Sequence, residues 1–140
     1  MSVTAIAAAL QRVQSVFQRR PEAALDEDAP ALSRWTGGMR VVTQHADGHT
    51  VSTDMPPELG GSGDQVTPGW LMRAGLASCT ATRIAMTAAT EGVELDLLEV
   101  EVCSLSDARG LLGMREADGR PIPAGPLDMR LRVRLSARGV

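Results

Sequence analysis

The stretch TPGWLMRAGLASCTATRIAMTAATEG, residues 67–92, constrains the fold more than any other. Thr67 is placed to cap a helix with its hydroxyl, Pro68 sits at the first helical position where a missing N–H costs nothing, and Gly92 is suited to a left-handed closing residue. The bracketed helix would run about 37 Å at ~1.5 Å per residue. Its faces carry mostly Ala, Leu, Met, Gly and Thr all the way round, and a helix apolar on every side must be buried on every side. A chain of 140 residues has too little material to enclose such a helix, so a second subunit is expected to cover part of it. One cysteine, Cys79, lies near its middle, with Arg83 four residues on and Arg73 six before.

The flanking sequence is organised around that helix. Val3, Ile6, Leu10, Val13 and Phe17 recur at spacings of three and four, which predicts an amphipathic helix over 3–19. RPEAALDEDAPAL follows with two Pro and four acids and reads as an extended, solvated linker, giving a division into 1–31 and a main domain over 32–140. Strands are expected near 39–45 and 49–54, either side of the turn dipeptide Asp47-Gly48. PPELGGSGDQV is then a loop able to wrap close to a site. After Gly92, Leu98, Val100 and Val102 alternate with Glu99, Glu101 and Cys103. Near the end Met129, Leu131, Val133 and Leu135 alternate with Arg130, Arg132 and Arg134. Both patterns predict strands, with the apolar rows inward and glutamates and arginines pairing across strands.

A net charge of −3, a pI near 5.3, one Phe, two Trp and no Tyr leave neither a basic stripe nor stacking rings, which argues against nucleic acid as a partner. The N-terminus lacks a basic segment ahead of its apolar part, and no apolar run reaches the ~20 residues a membrane span needs. A cytoplasmic protein is expected, with no membrane partner. Two cysteines without paired metal spacing suggest neither a disulfide scaffold nor a metal site, and no cofactor is called for. His45 and His49 flank the hairpin turn, but two imidazoles without a carboxylate pair make a weak metal site, and surface turn residues describe them better. Asp54 is read as the end of a strand rather than an acid–base group.

A working cysteine needs a nearby cation or helix dipole and some access to solvent. Cys79 lies twelve residues past the cap, beyond the reach of the helix N-terminus, so activation must come from side chains, of which Arg83 is better placed than Arg73. Free cysteine is also among the most buried residue types, and by spacing alone a small core residue is the simpler description.

Taken together, ELGGSGDQVTPGWLMRAGLASCTATRIAM, the following LEVEV and DARGLLG resemble the OsmC/Ohr family, the osmotically inducible and organic hydroperoxide resistance proteins, over roughly residues 34–136. The resemblance implies an α+β fold with a long buried central helix packed on antiparallel sheets in an intertwined homodimer. It also implies a thiol-dependent peroxidase reducing organic hydroperoxides or hydrogen peroxide, with a thiol reductant as second partner. Carried over, the peroxidatic cysteine is Cys79, and the family arginine falls on Arg40 after Gly37-Gly38. Three departures accompany it. The family glutamate position holds Gly69, Cys103 lies on a strand rather than on the later helix that bears a resolving cysteine, and the family's C-terminal helix is lacking. These favour the OsmC-like branch and an external thiol as resolver, with Cys79, Arg40 and Arg83 as the site. The helix over 3–19 is expected to cover part of the surface left by the missing one. The competing reading keeps the fold but binds a small apolar ligand in the dimer crevice, lined by Met72, Leu76 and Met86, without catalysis.

Overall fold

The computed structural model describes residues 2–138. Helix α1 spans Val3–Arg19 and begins at Ser2, whose Oγ accepts the Ala5 N–H at 3.2 Å. Its first half turns Val3, Ile6 and Leu10 onto a second helix, while Val13 and Phe17 continue the same stripe with nothing over them. The acidic segment that follows stays exposed throughout, with a single 3-10 turn at Pro21–Ala24.

A three-stranded antiparallel meander comes next: β1 (Leu32–Gly37), β2 (Arg40–Gln44) and β3 (Thr50–Thr53). The second and third strands fall where Asp47-Gly48 predicted them. The first was not anticipated, because LSRWTG is short and polar and carries little alternation. Of the turn pair only Gly48 takes a positive φ, 99°, closing a three-residue loop in which the His45 N–H donates to the His49 carbonyl at 2.8 Å.

Helix α2 spans Pro68–Thr90, 23 residues or about 34 Å. The Thr67 hydroxyl accepts the Trp70 N–H at 3.2 Å, as the capping signal required. At the other end the Gly92 N–H reaches the Ala89 carbonyl and the Val93 N–H the Ala88 carbonyl, a Schellman closure with Gly92 at φ 70°.

Strands β4 (Glu94–Ser106) and β5 (Pro126–Arg138) pair antiparallel along nearly their full length. Glu99 lies opposite Arg134 and Glu101 opposite Arg132, with ion pairs at 3.2 and 2.9 Å. Between the strands lies an excursion that includes the one-turn helix α3 (Ala108–Leu111), capped by Asp107 and packed so closely that a Cβ on Gly110 would stand 2.0 Å from the Pro123 carbonyl oxygen.

The architecture is the expected α+β one, but its core is thin within one chain. Helix α2 packs on α1 and β4, and only Ala89 of its residues is buried, so burial on every side is not reached. The apolar row of β5, expected to face inward, lies open, with Leu131 47% and Leu135 52% exposed. Residues 32–53 make no extensive contact with α2, β4 or β5. The physical reason is material: one helix laid on a two-stranded ribbon covers only part of the ribbon and only one side of itself. The chain exposes 10432 Å². A compact monomer of this mass would expose about 7,000 Å², leaving an excess of roughly 3,500 Å².

Candidate active site

Arg40 opens β2, directly after the turn in which Gly37 and Gly38 take φ of 125° and 55°. These are backbone positions that side chains resist. Its guanidinium is held from two sides. Nε donates to Asp54 Oδ2 at 3.0 Å, and Nη2 pairs with the Asp64 carboxylate. Asp54 follows the last residue of β3 and, at 2% exposed, is the largest fully buried side chain among the described residues. Burial alone would push its carboxyl up, but the N–H of Met55, the Arg40 guanidinium and the N–H of Ser62 together hold it below the usual carboxylate range. The hydrogen bonds it donates to Asp64, then to Asp54, hold the guanidinium above its ordinary value.

The segment 54–66 wraps this pair. The Asp54 N–H reaches the Val66 carbonyl at 3.0 Å and the Gly63 N–H the Met55 carbonyl at 3.1 Å. Gly61 passes so near that a Cβ would stand 1.8 Å from the Met55 carbonyl oxygen, so no side chain fits there. The glycine-rich loop thus does wrap a group, and the group is the Arg40–Asp54 pair. Sequence reasoning named Arg40 but missed both of its carboxylates. The readable signal was an acid at a strand end followed by Pro-Pro and a glycine-rich loop closing on a second acid.

Cys79 is exposed and free, on α2. Arg83, one turn on and on the same face, is also exposed, and its guanidinium pairs with no carboxylate among the described residues. Arg73 faces elsewhere: its Nη1 donates to Ser104 Oγ of β4 at 3.0 Å, which takes it to the sheet side of the helix. At Gly69 a Cβ would meet nothing closer than Arg73 Nη1 at 3.7 Å, so the position is open to a side chain.

Cys103 is free and exposed on the outer row of β4, between Glu101 and Leu105, while Ser104 on the inner row meets α2. The ribbon itself therefore lies between Cys103 and that helix. His45 and His49 are turn residues, each with its Nδ1 within 2.9 Å of Asp47 Oδ1.

Within one chain Arg40 and Cys79 are not brought together. Asp64, which holds Arg40, precedes the Thr67 cap, whereas Cys79 lies eleven residues beyond Pro68, about 16 Å up the helix axis. Among the described residues no hydrogen bond or ion pair links Cys79 to Arg40 or Arg83.

Solved structures resemble the whole arrangement. An OsmC-like protein of Mycoplasma pneumoniae superposes with a TM-score of 0.64 at 13% identity, over 83% of this chain and 74% of that one. An OsmC-like protein of unknown function from Vibrio cholerae gives 0.63 at 12% identity, over 82% and 78%. This chain has the OsmC-like fold. The OsmC organic hydroperoxide resistance protein of Legionella pneumophila shares it with a TM-score of 0.53 at 20% identity, over 82% of this chain and 75% of its own. No family model and no curated protein matches the sequence. No helix of the OsmC-like chain, among the described residues, is long and apolar enough to cross a membrane.

Proposed function

We propose that this OsmC-like chain is a thiol-dependent hydroperoxide reductase that works as a homodimer. The observation that carries the reading is the exposed pair on one face of α2: Cys79 with no bonding partner, and Arg83 one turn away with its charge unspent. A cation so placed can stabilise the developing negative charge of a departing alkoxide. The thiolate attacks the distal oxygen of a hydroperoxide. The S–O bond forms as the O–O bond breaks, the alkoxide leaves as alcohol after taking a proton, and the sulfur is left as a sulfenic acid. Two external thiols return it to the thiol, yielding a disulfide and water. An external reductant suits the chain because Cys103 stands on the far side of β4.

The exposed surface supports the second copy. The uncovered sides of α2 and β5 and the roughly 3,500 Å² excess are on the scale of an obligate interface. Since a chain's own meander does not lie along its α2, Arg40 of one copy is assigned to Cys79 of the other. The hydroperoxide resistance protein of Legionella pneumophila, with the same fold, supports the choice of substrate class.

A second reading draws on Met72 and Leu76, exposed along the Cys79 face of α2, with Met86 on the same face, which suit a small apolar ligand without chemistry. One assay separates the two: consumption of cumene hydroperoxide with a dithiol as electron donor, run beside Cys79→Ser. Turnover by the native chain that vanishes in the variant supports the reductase. Absence of turnover together with absence of sulfenic acid at Cys79 under stoichiometric peroxide rejects it.

A further inference from the structure

Arg40 carries two carboxylates of very unequal burial. Asp54 is enclosed and takes hydrogen bonds from the Met55 and Ser62 N–H groups as well as from Arg40 Nε. Asp64 is more than half exposed, with a side-chain exposure of 56%, and meets the guanidinium only at Nη2. The remaining nitrogen, Nη1, hydrogen-bonds to none of the described residues, and the side chain keeps about a third of its surface, 30%, in contact with solvent. One end of the fork is therefore fixed in the protein, one is neutralised by a group that water also reaches, and one is open.

From this geometry we infer that Asp54 and Asp64 are the positioning residues of Arg40, with separate tasks: Asp54 fixes where the guanidinium stands, and Asp64 sets how much of its charge is left for Cys79. The inference rests on the reading that Arg40 of one copy serves Cys79 of the other. It also answers a question the helix start leaves open. Gly69 offers no carboxylate, and the fold supplies one from the preceding loop instead, five residues earlier, where the wrap of 54–66 brings Asp64 to Arg40. An exposed carboxylate gives up part of its hold to water and to competing anions. Asp64 is accordingly the arm that yields when a ligand oxygen approaches, and Asp54 is the arm that does not.

The test follows the pH dependence of Cys79 alkylation by iodoacetamide, read on the Cys79 peptide by mass spectrometry in the full chain. Circular dichroism confirms that each variant is folded. Arg83, the other cation on the Cys79 face, is left intact in every variant. Arg40→Ala moves the midpoint to higher pH, since a cation is lost. Asp64→Asn moves it to lower pH, giving alkylation about threefold faster at a fixed pH below the midpoint, and Asp64→Glu returns it to the native position. Asp64→Asn placed in the Arg40→Ala chain adds nothing. A folded Asp64→Asn chain with an unmoved or raised midpoint, beside an Arg40→Ala chain that does shift, overturns this inference alone. An Arg40→Ala chain with the native midpoint overturns the assignment of Arg40 to Cys79, and the inference with it.

Discussion

The meander with its loop and the helix–ribbon half of the chain are built on opposite terms. Around Arg40 most polar groups are satisfied within the chain: Asp54 is enclosed and hydrogen-bonded, only Nη1 of the guanidinium stays open, the loop closes on itself, and Gly61 fits only because it has no side chain. Around Cys79 little is closed. Trp70, Met72 and Leu76 of α2 and the apolar row of β5 face solvent. Local hydrogen bonding completes the first region. The second has apolar surface as its main resource, and apolar surface stabilises only what it is buried against. A chain of this kind holds a finished joint beside an unfinished core.

The most damaging change should fall in the finished region. Gly61→Ala drives a Cβ into the Met55 carbonyl, and a loss of about 3 kcal/mol or more is expected in urea unfolding. A native-like midpoint would mean that the loop is looser than its hydrogen bonds indicate. Next comes the unfinished side. Leu131→Asp places a charge on the open β5 row, and sedimentation should show self-association weakened about a hundredfold with the circular dichroism of the chain unchanged. Unchanged association would leave that row a true outer surface and remove the contrast between the two regions.

Acid gives a subtler separation. Asp54, Asp47, Asp107 and Asp118 are all held below their ordinary values. Between the folded and unfolded values the unfolded chain binds more protons, so the stability these groups contribute is complete above about pH 4 and is lost as pH falls through the folded values. In Asp54→Asn the dependence of unfolding free energy on pH below 4 should be shallower. An identical slope would place the acid coupling in the exposed turns instead. The smallest effect is expected at Gly75, where a Cβ meets nothing within 4 Å in the single chain. Ala there would stabilise a lone helix by about 1 kcal/mol. A lowered melting temperature is expected instead, because a second copy packed on α2 would occupy that space, and a raised one would argue that this face of α2 stays open.

Much of the fold was legible in local patterns. The Thr67 cap, the Gly92 closure, the hairpin around Asp47-Gly48 and the Glu–Arg pairs across β4 and β5 each depend on neighbours in sequence or on strict alternation, and each stands where the pattern placed it. The candidate site was legible only in part. Cys79 and Arg83 share a helix face, so their spacing was enough. Strand β1 escaped notice for want of alternation, and Asp54 was read as no more than a strand end.

What the sequence determined by itself was where its two long helices begin and end, where the hairpin turns, and which residues of the longer strands share a face, because capping, turn chemistry and periodicity act over a few residues. Only the tertiary structure decided that two acids ten residues apart converge on one guanidinium, and that the rows meant for a core lie open. Both depend on how far a loop folds back and how much surface one chain has to cover another, and neither quantity is written in local spacing.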